Sequence, residues 1–429
     1  MNHHSEVGKT PNIRFQGFED SWNKTPLNKI LSNSKDKNIE LKYSKNDVLS
    51  VSGKLGVLNQ IKHLGRSYAG KSVHNYGILR QGEFVYTKSP LKENPFGIIK
   101  LNRGSTGIVS TLYAIYVGNK STIDNDFLDY YFSLDDNVNR YLRPLVRKGA
   151  KNDMKINNEY VLNDSIYIPS THEQKKIASF LLLINSKIEK LTRKKELLEE
   201  YKKGVMQKLF SGEIRFKDEN GDNYPDWIAK LYGDVYSFHF TNSFSRDKLN
   251  YENGEVFNIH YGDIHTKFST NFDLTRESVP RIDIEIDLSK FSEQVYCQEG
   301  DLVIADASED YADIGKTIEL INLNNERILA GLHTFLARPN KYPMEKGFAG
   351  YLMQSWDVRK QVMVIAQGTK VLGISKSRLS KIKIVIPSSG EQKKIALLLS
   401  SIDSKIEQVS FQIKKTKEFQ KGLLQQMFV

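Results

Sequence analysis

The chain is written twice. The run IPSTHEQKKIASFLLLINSKIEKL from Ile168 returns as IPSSGEQKKIALLLSSIDSKIEQV from Ile386, an offset of 218 residues. The match holds without a gap from Ile168–Phe210 to Ile386–Phe428, and 20 of those 43 positions are identical. Charged low complexity would not set Gly204 over Gly422, Gln207 over Gln425 and Phe210 over Phe428. A repeat constrains the fold more than any local propensity, because one unit must be built twice and must pack with its copy. It extends weakly upstream. Gly82-Glu83-Phe84-Val85-Tyr86 matches Gly300-Asp301-Leu302-Val303-Ile304, and Gly149 falls within one residue of Gly368. Ile13-Arg14-Phe15 with Trp22 resembles Ile214-Arg215-Phe216 with Trp227. The order is long segment, helix, long segment, helix. Joining Val429 to the N-terminus would restore the same order, so a pseudo-twofold molecule with neighbouring termini is expected.

Each repeated segment starts like a helix. Ser170 and Ser388 stand three residues before Glu173 and Glu391, the S-x-x-E spacing in which serine caps and glutamate reaches back to the cap N–H. These glutamates therefore read as structural. Apolar residues recur at Ile177, Leu181, Ile184, Ile188, Leu191, Leu198, Val205 and Leu209, and at Ile395, Leu399, Ile402, Ile406, Val409, Ile413, Leu423 and Met427. The 4–3 alternation is a heptad seam, interrupted by Lys195, Lys202, Thr416 and Gln420. Gly212 is a natural stop for the first helix. About 40 residues at ~1.5 Å each give a rod of roughly 55–60 Å. Two such helices can bury their seams against each other, and pseudo-twofold symmetry makes the pair antiparallel. Gly204 and Gly422 each weaken a helix by about 1 kcal/mol relative to alanine, so their recurrence predicts close approach of another helix, either the sister or a partner's.

The segments before the helices read as mixed α and β. Glu83–Tyr86 and Ile382–Ile386 look like strands; Phe127–Leu142 and Gly347–Val364 look like helices. The fold class expected is α+β, with domains at 1–169 and 213–387 and helices at 170–212 and 388–429. Basic residues gather at Arg140, Arg143, Arg147, Lys148, Lys151 and Lys155 around Gly149. The matching part of the second half carries Gln367, Gly368, Thr369, Lys370, Lys376 and Arg378. Arginine and lysine bind phosphates; with glutamine they also read base edges. A net charge of +11 suits a polyanion partner.

Other motifs fail on context. Gly65–Ser72 spells G-x-x-x-x-G-K-S, but the following Val73-His74-Asn75-Tyr76-Gly77 is a poor helix start, and a phosphate loop needs a helix there. Arg66 and Lys71 are kept as phosphate contacts. Asn94-Pro95-Phe96 falls one proline short of an adenine methyltransferase motif and has no glycine-rich cofactor loop beside it. Asp283-Ile284-Glu285-Ile286-Asp287 alternates like a strand face. One cysteine, Cys297, allows no internal disulfide and no cysteine-rich zinc site. No apolar run is long enough to span a membrane, and the polar stretch Met1–Pro11 lacks the apolar core of a signal peptide. A cytoplasmic location is expected, and no nucleophile constellation supports catalysis by this chain.

The paired EQKKIA helices, each after an Ile-Pro boundary and a variable segment, resemble the specificity subunits of type I restriction-modification systems. The resemblance covers essentially the whole chain. It implies that each variable segment is a target recognition domain reading one half of a bipartite, asymmetric sequence in double-stranded DNA. It implies that the helices form an antiparallel coiled coil that sets the spacing and docks two modification subunits. Those partners would bind S-adenosylmethionine and methylate adenine N6; restriction subunits would bind ATP and magnesium. The chain itself would hold no cofactor or metal and would not be catalytic. Half-sites one helical turn apart lie about 34–36 Å from each other, within reach of the expected rod. Three rivals stand beside this reading: a stand-alone sequence-specific DNA-binding protein without a methyltransferase partner, an NTPase built on Gly65–Ser72, and a coiled-coil adaptor.

Overall fold

The computed structural model describes residues 9–70, 72–147, 154 and 156–429. The chain divides into two compact units, Met1–Leu191 with Gln412–Val429, and Thr192–Phe411.

In the first unit an antiparallel sheet runs in the order Leu31–Asn33, Tyr113–Gly118, Phe84–Thr87, Ile99–Leu101. Phe84, Val85 and Tyr86 are fully buried, which is why the strand reads as one continuous apolar run. It starts from a turn in which Gly82 takes φ +82° and the Glu83 carboxylate accepts the Arg80 N–H at 2.8 Å. The expected helix Phe127–Leu142 is two helices, Asn125–Ser133 and Asp135–Leu142. Leu134 between them is extended, and Asp135 and Asp136 favour a fresh helix N-terminus. An edge strand, Asn23–Pro26, pairs with Ser165–Ile168 and leads the chain into the first long helix, Thr171–Phe210.

The second unit repeats that sheet and adds to it. Its order is Tyr236–His239, Thr334–Pro339, Leu302–Ala305, Thr317–Asn322, then Asn271–Asp273, which joins in parallel. Gly300 takes φ +89°, and Asp301 accepts the Gln298 N–H at 2.8 Å, reproducing the turn before Phe84. The expected helix Gly347–Val364 is again split, into Ala349–Gln354 and Trp356–Ile365 with an extended Ser355 between. Ile228–Leu231 pairs with Lys383–Ile386 ahead of the second long helix, Ser389–Met427. A further sheet of Leu249–Asn250, Arg281–Ile282, Phe257–Ile259 and Ile328–Ala330 has its strand end at Ile282. The alternation after it, Asp283–Asp287, is not a strand. The Asp283 carboxylate accepts the Glu285 N–H and the Asp287 carboxylate accepts the Ser289 N–H, and these local turns win over pairing.

Both long helices contribute to each unit. In the first, Ile177, Leu181 and Ile184 share a core with Leu423, Met427 and Phe428. In the second, Met206, Leu209 and Phe210 share a core with Ile395, Leu399 and Ile402. The start of each helix thus meets the end of the other, an antiparallel relation. Val409 is buried; Ile188, Leu191, Leu198, Val205, Ile406 and Ile413 are half-buried. At Gly204 and Gly422 a Cβ built on either meets no atom within 4 Å, so among the described residues the sister helix is not the close neighbour expected there.

The described residues near the two ends of the chain meet, as the repeat predicts. After the first long helix Gly212 turns at φ +76°, and the Ile214 N–H donates to Lys208 O at 3.1 Å. At the other end the Ile13 N–H donates to Gln426 O at the same 3.1 Å, although no peptide bond joins these segments. Lys208 and Gln426 are repeat equivalents.

Candidate nucleic-acid interface

A recognition surface must be held rigidly on its scaffold, and three sets of repeated bonds do this within each unit. First, Arg14 of one Ile-Arg-Phe motif donates to both Glu173 oxygens, each at 2.7 Å. Arg215 of the other donates to Glu391 at 3.1 and 2.7 Å, and Trp227 Nε1 adds a third bond at 2.8 Å. The side chains of Glu173 and Glu391 are 1% and 0% exposed. The bonds to these carboxylates hold both arginines above the usual guanidinium pKa. The glutamates therefore do not reach back to their own caps. Ser170 Oγ accepts the Glu173 N–H at 3.4 Å, while the buried Ser388 Oγ has no partner among the described residues. An arginine fork offers a carboxylate more than a single cap N–H does, and it takes the side chain away.

Second, the amide of Gln174 donates to Pro169 O and accepts the Asp124 N–H at 2.9 and 2.8 Å. Gln392 does the same with Pro387 O and Glu345 N, both at 2.9 Å. Third, two of the four seam interruptions, Gln420 and Lys202, prove to be polar crossings, while Lys195 and Thr416 bond within their own helices. Gln420 donates to Asn185 at 2.6 Å, and Asn185 donates to the Tyr130 hydroxyl at 2.6 Å. In the other unit Lys202 pairs with Asp403 at 2.6 Å, and the Tyr351 hydroxyl donates to Asp403 at 2.6 Å. Asn185 and Asp403 are repeat equivalents, as are Lys202 and Gln420. Each crossing ties both long helices to a helix of the variable domain. Sequence reading missed the roles of Gln174, Gln392, Asn185 and Asp403; the identity of the EQKKIA run held the signal for the two glutamines only.

The predicted DNA contacts fall as follows. In the second unit Gly368 has φ +132°, and a Cβ there would stand 1.9 Å from Val371 O, so only glycine fits the turn. The turn is closed by the Gln367–Gly373 bridge and anchored by buried Leu372. It presents Gln367, Thr369 and Lys370 to solvent, next to the exposed Lys376 and Arg378 of the short helix Lys376–Leu379. This group is brought together. In the first unit Arg143 closes the helix Asp135–Leu142, and Arg147 follows it; both are exposed. Lys71, Lys148, Gly149, Lys151 and Lys155 lie outside the described residues. Arg66 stands over the Tyr68 ring at 4.7 Å, just after Gly65 ends the helix Gln60–Leu64 at φ +74°. No hydrogen bond, ion pair or ring contact among the described residues joins Arg66 to Arg143 or Arg147. The helix lies before Gly65, and the next element after Ser72 among the described residues is the strand Gly77–Leu79, the reverse of a phosphate loop. Among the described residues no group of histidine, cysteine and acidic side chains could hold a metal, and no helix is long and apolar enough to cross a membrane.

Residues 245–416 match the family model of the type I restriction modification DNA specificity domain. The match lies in the second half of the chain and marks that stretch as similar to the type I specificity family. It is 29% identical over 258 residues to the type I restriction enzyme MjaVIII specificity subunit of Methanocaldococcus jannaschii, covering 57% of this chain and 56% of that one. The chain spans about half the length of the curated relatives it matches, 50% and 56%. Among solved structures it resembles the type I restriction-modification S subunit from M. genitalium, with a TM-score of 0.55, 13% identity and coverage of 98% and 99% of the two chains. It also resembles a chain from work on complex assembly and conformational transition of the type I R-M system, with a TM-score of 0.53, 15% identity and coverage of 94% and 96%. At these identities the structural likeness is one of fold alone, and it covers both units.

Proposed function

We propose that this chain is the DNA-recognition subunit of a type I restriction-modification complex and carries no catalytic centre of its own. Each variable domain reads one half of a bipartite, asymmetric target. The paired helices set the gap between the halves and dock two modification subunits, which bind S-adenosylmethionine and methylate adenine N6; restriction subunits bind ATP and magnesium. One observation carries the reading. Two domains of divergent sequence are each fixed to both long helices by three sets of bonds at equivalent positions. That is what a scaffold needs if the readers are to vary while their placement does not. Unlike readers on one chain also remove the need for a palindromic target. Methylation of a base inside a duplex requires that it be flipped out, so in this scheme the chain grips the flanking DNA while a partner does the chemistry.

The test is long-read sequencing of DNA from cells that express a candidate modification subunit with and without this chain. A split N6-methyladenine motif that appears only when both are present is the expected result. Tight sequence-specific binding by the chain alone, with no methylation and no recruited subunit, would favour a stand-alone DNA-binding protein.

A further inference from the structure

Beside the turn that carries Gln367, Thr369 and Lys370 lies a group that the sequence did not single out. The central strands Leu302–Ala305 and Thr334–Pro339 pair antiparallel up to Ala305 and Thr334. The next residues out are Asp306 and His333. The Asp306 N–H donates to His333 O at 3.1 Å, and Asp306 O accepts the Ile374 N–H at 3.0 Å. One residue therefore locks the sheet end, the His333 loop and the Gly368 turn together with its backbone alone. Its carboxylate is left over. It meets the His333 imidazole at 3.2 Å and keeps 23% of its side-chain surface open. Burial raises its pKa, opposed by His333 and Lys376.

His333 is held unusually. It has φ +54°, a left-handed conformation that side chains rarely adopt. Such backbone is kept only where the surroundings enforce it, and it clusters at binding sites. Here the ring is fixed between Asp306 and the edge of Tyr261, whose centroid is 5.2 Å away. Tyr261 packs in turn on His260 at 4.7 Å. On the far side Lys376 lies 5.5 Å from the Phe335 ring. The arrangement is an oriented carboxylate–imidazole pair, its imidazole exposed and its carboxylate half-buried, walled by an aromatic ring and flanked by the basic turn.

Resting on the proposed function, we infer that Asp306, oriented by His333, is a base-reading residue of the second domain, and that it accepts a hydrogen bond from the exocyclic amino group of cytosine or adenine in the major groove. A carboxylate accepts and cannot donate, so it favours cytosine N4 or adenine N6 and disfavours the acceptor edges of guanine and thymine. One position of that half-site then reads as C or A on the contacted strand. Asp306 contacts the base, and His333 acts as a positioning residue.

The experiment determines methylation motifs for the wild-type complex and for complexes carrying Asp306→Asn, Asp306→Ala or His333→Gly. Glycine accepts the φ of position 333 and removes the ring. In the wild type, one position of the half-site belonging to residues 213–388 is expected to be C or A. In both Asp306 variants, discrimination at that position falls by about tenfold, while the other half-site and the gap are unchanged. His333→Gly weakens the same position and no other. The unchanged half-site reports that the variant folds and assembles. A wild-type motif retained in full by both Asp306 variants overturns this inference and leaves the proposed function standing. Loss of the whole motif in both Asp306 variants but not in His333→Gly shows a structural role and also overturns it. Absence of any motif with the wild type overturns the proposed function, and this inference with it.

Discussion

The two polar crossings of the long helices occupy equivalent positions and use different chemistry. In the first unit two neutral amides meet, Gln420 on Asn185, with Tyr130 as the third member. In the second a half-buried ion pair does so, Lys202 on Asp403, with Tyr351 as the third member. Burial raises the pKa of both phenols, that of Tyr130 to about 12, so both stay protonated at neutral pH. The difference teaches that the position demands a satisfied polar contact across the seam, not a charge. A lone polar group there would be costly, and a matched one fixes the register of the helices, as a single polar seam residue does in coiled coils. The same holds at the helix starts, where Glu173 has an arginine and Glu391 has an arginine and a tryptophan.

That last inequality gives the largest expected effect. Glu391→Gln removes the buried carboxylate from Arg215, which keeps partial solvent exposure and Asp226 at 3.7 Å, and should cost about 3 kcal/mol. Glu173→Gln should cost less, because Glu173 serves one donor residue fewer. Hydrogen exchange resolved by unit would measure both, and equal losses would break the comparison.

The units should next differ in their response to pH. At the position where the first unit has Leu101, the second has Glu319, buried and accepting the N–H groups of Gly347 and Gly350 at 2.6 and 2.8 Å. Burial pushes its carboxyl up to about 7 against those bonds. A carboxyl whose folded pKa is raised contributes stability in full below its unfolded pKa of about 4.5, and loses it as pH climbs through about 7. The second unit should lose up to about 3 kcal/mol over that window. The first should show no matching loss from this position. Glu319→Gln should flatten the profile, and an unchanged profile in that variant would assign the loss to other groups.

A smaller effect tests the crossings. Asp403→Asn alone should cost about 2 kcal/mol by leaving Lys202 without its carboxylate. Adding Lys202→Gln rebuilds the amide pair of the first unit and should recover most of it. A double-mutant cycle in urea reads the coupling, and a purely additive cycle would mean the pair is incidental. The smallest effect concerns the helix glycines. Since a Cβ at Gly204 or Gly422 meets nothing, alanine at either should raise helix stability by about 1 kcal/mol, measurable as slower exchange of the flanking amides. A loss instead would show that a contact outside the chain needs the glycine.

Much of the framework was legible because it is periodic or local. The heptad spacing from Ile177 and from Ile395 runs through both long helices, and the buried runs at Phe84 and Leu302 sit in central strands. Contacts between residues far apart in the chain were not legible. Nothing near Glu173 announces Arg14, 159 residues away, so the local capping pattern offered itself first. The breaks at Leu134 and Ser355 interrupt apolar segments without a proline or glycine to mark them. The run Asp283–Asp287 misled because alternation is shared by strands and by successive aspartate turns. For the interface, charge pointed to Lys370, Lys376 and Arg378. Asp306 and His333 had no motif, since only the sheet brings them together.

The most direct test of the account is to replace residues 213–388 with the matching segment of a relative of different specificity, and to sequence methylated DNA from cells carrying the chimaera with the modification subunit. If two readers stand independently on a shared scaffold, one half of the split motif changes while the other half and the gap stay as they were. A motif altered in both halves, or unaltered altogether, would contradict it.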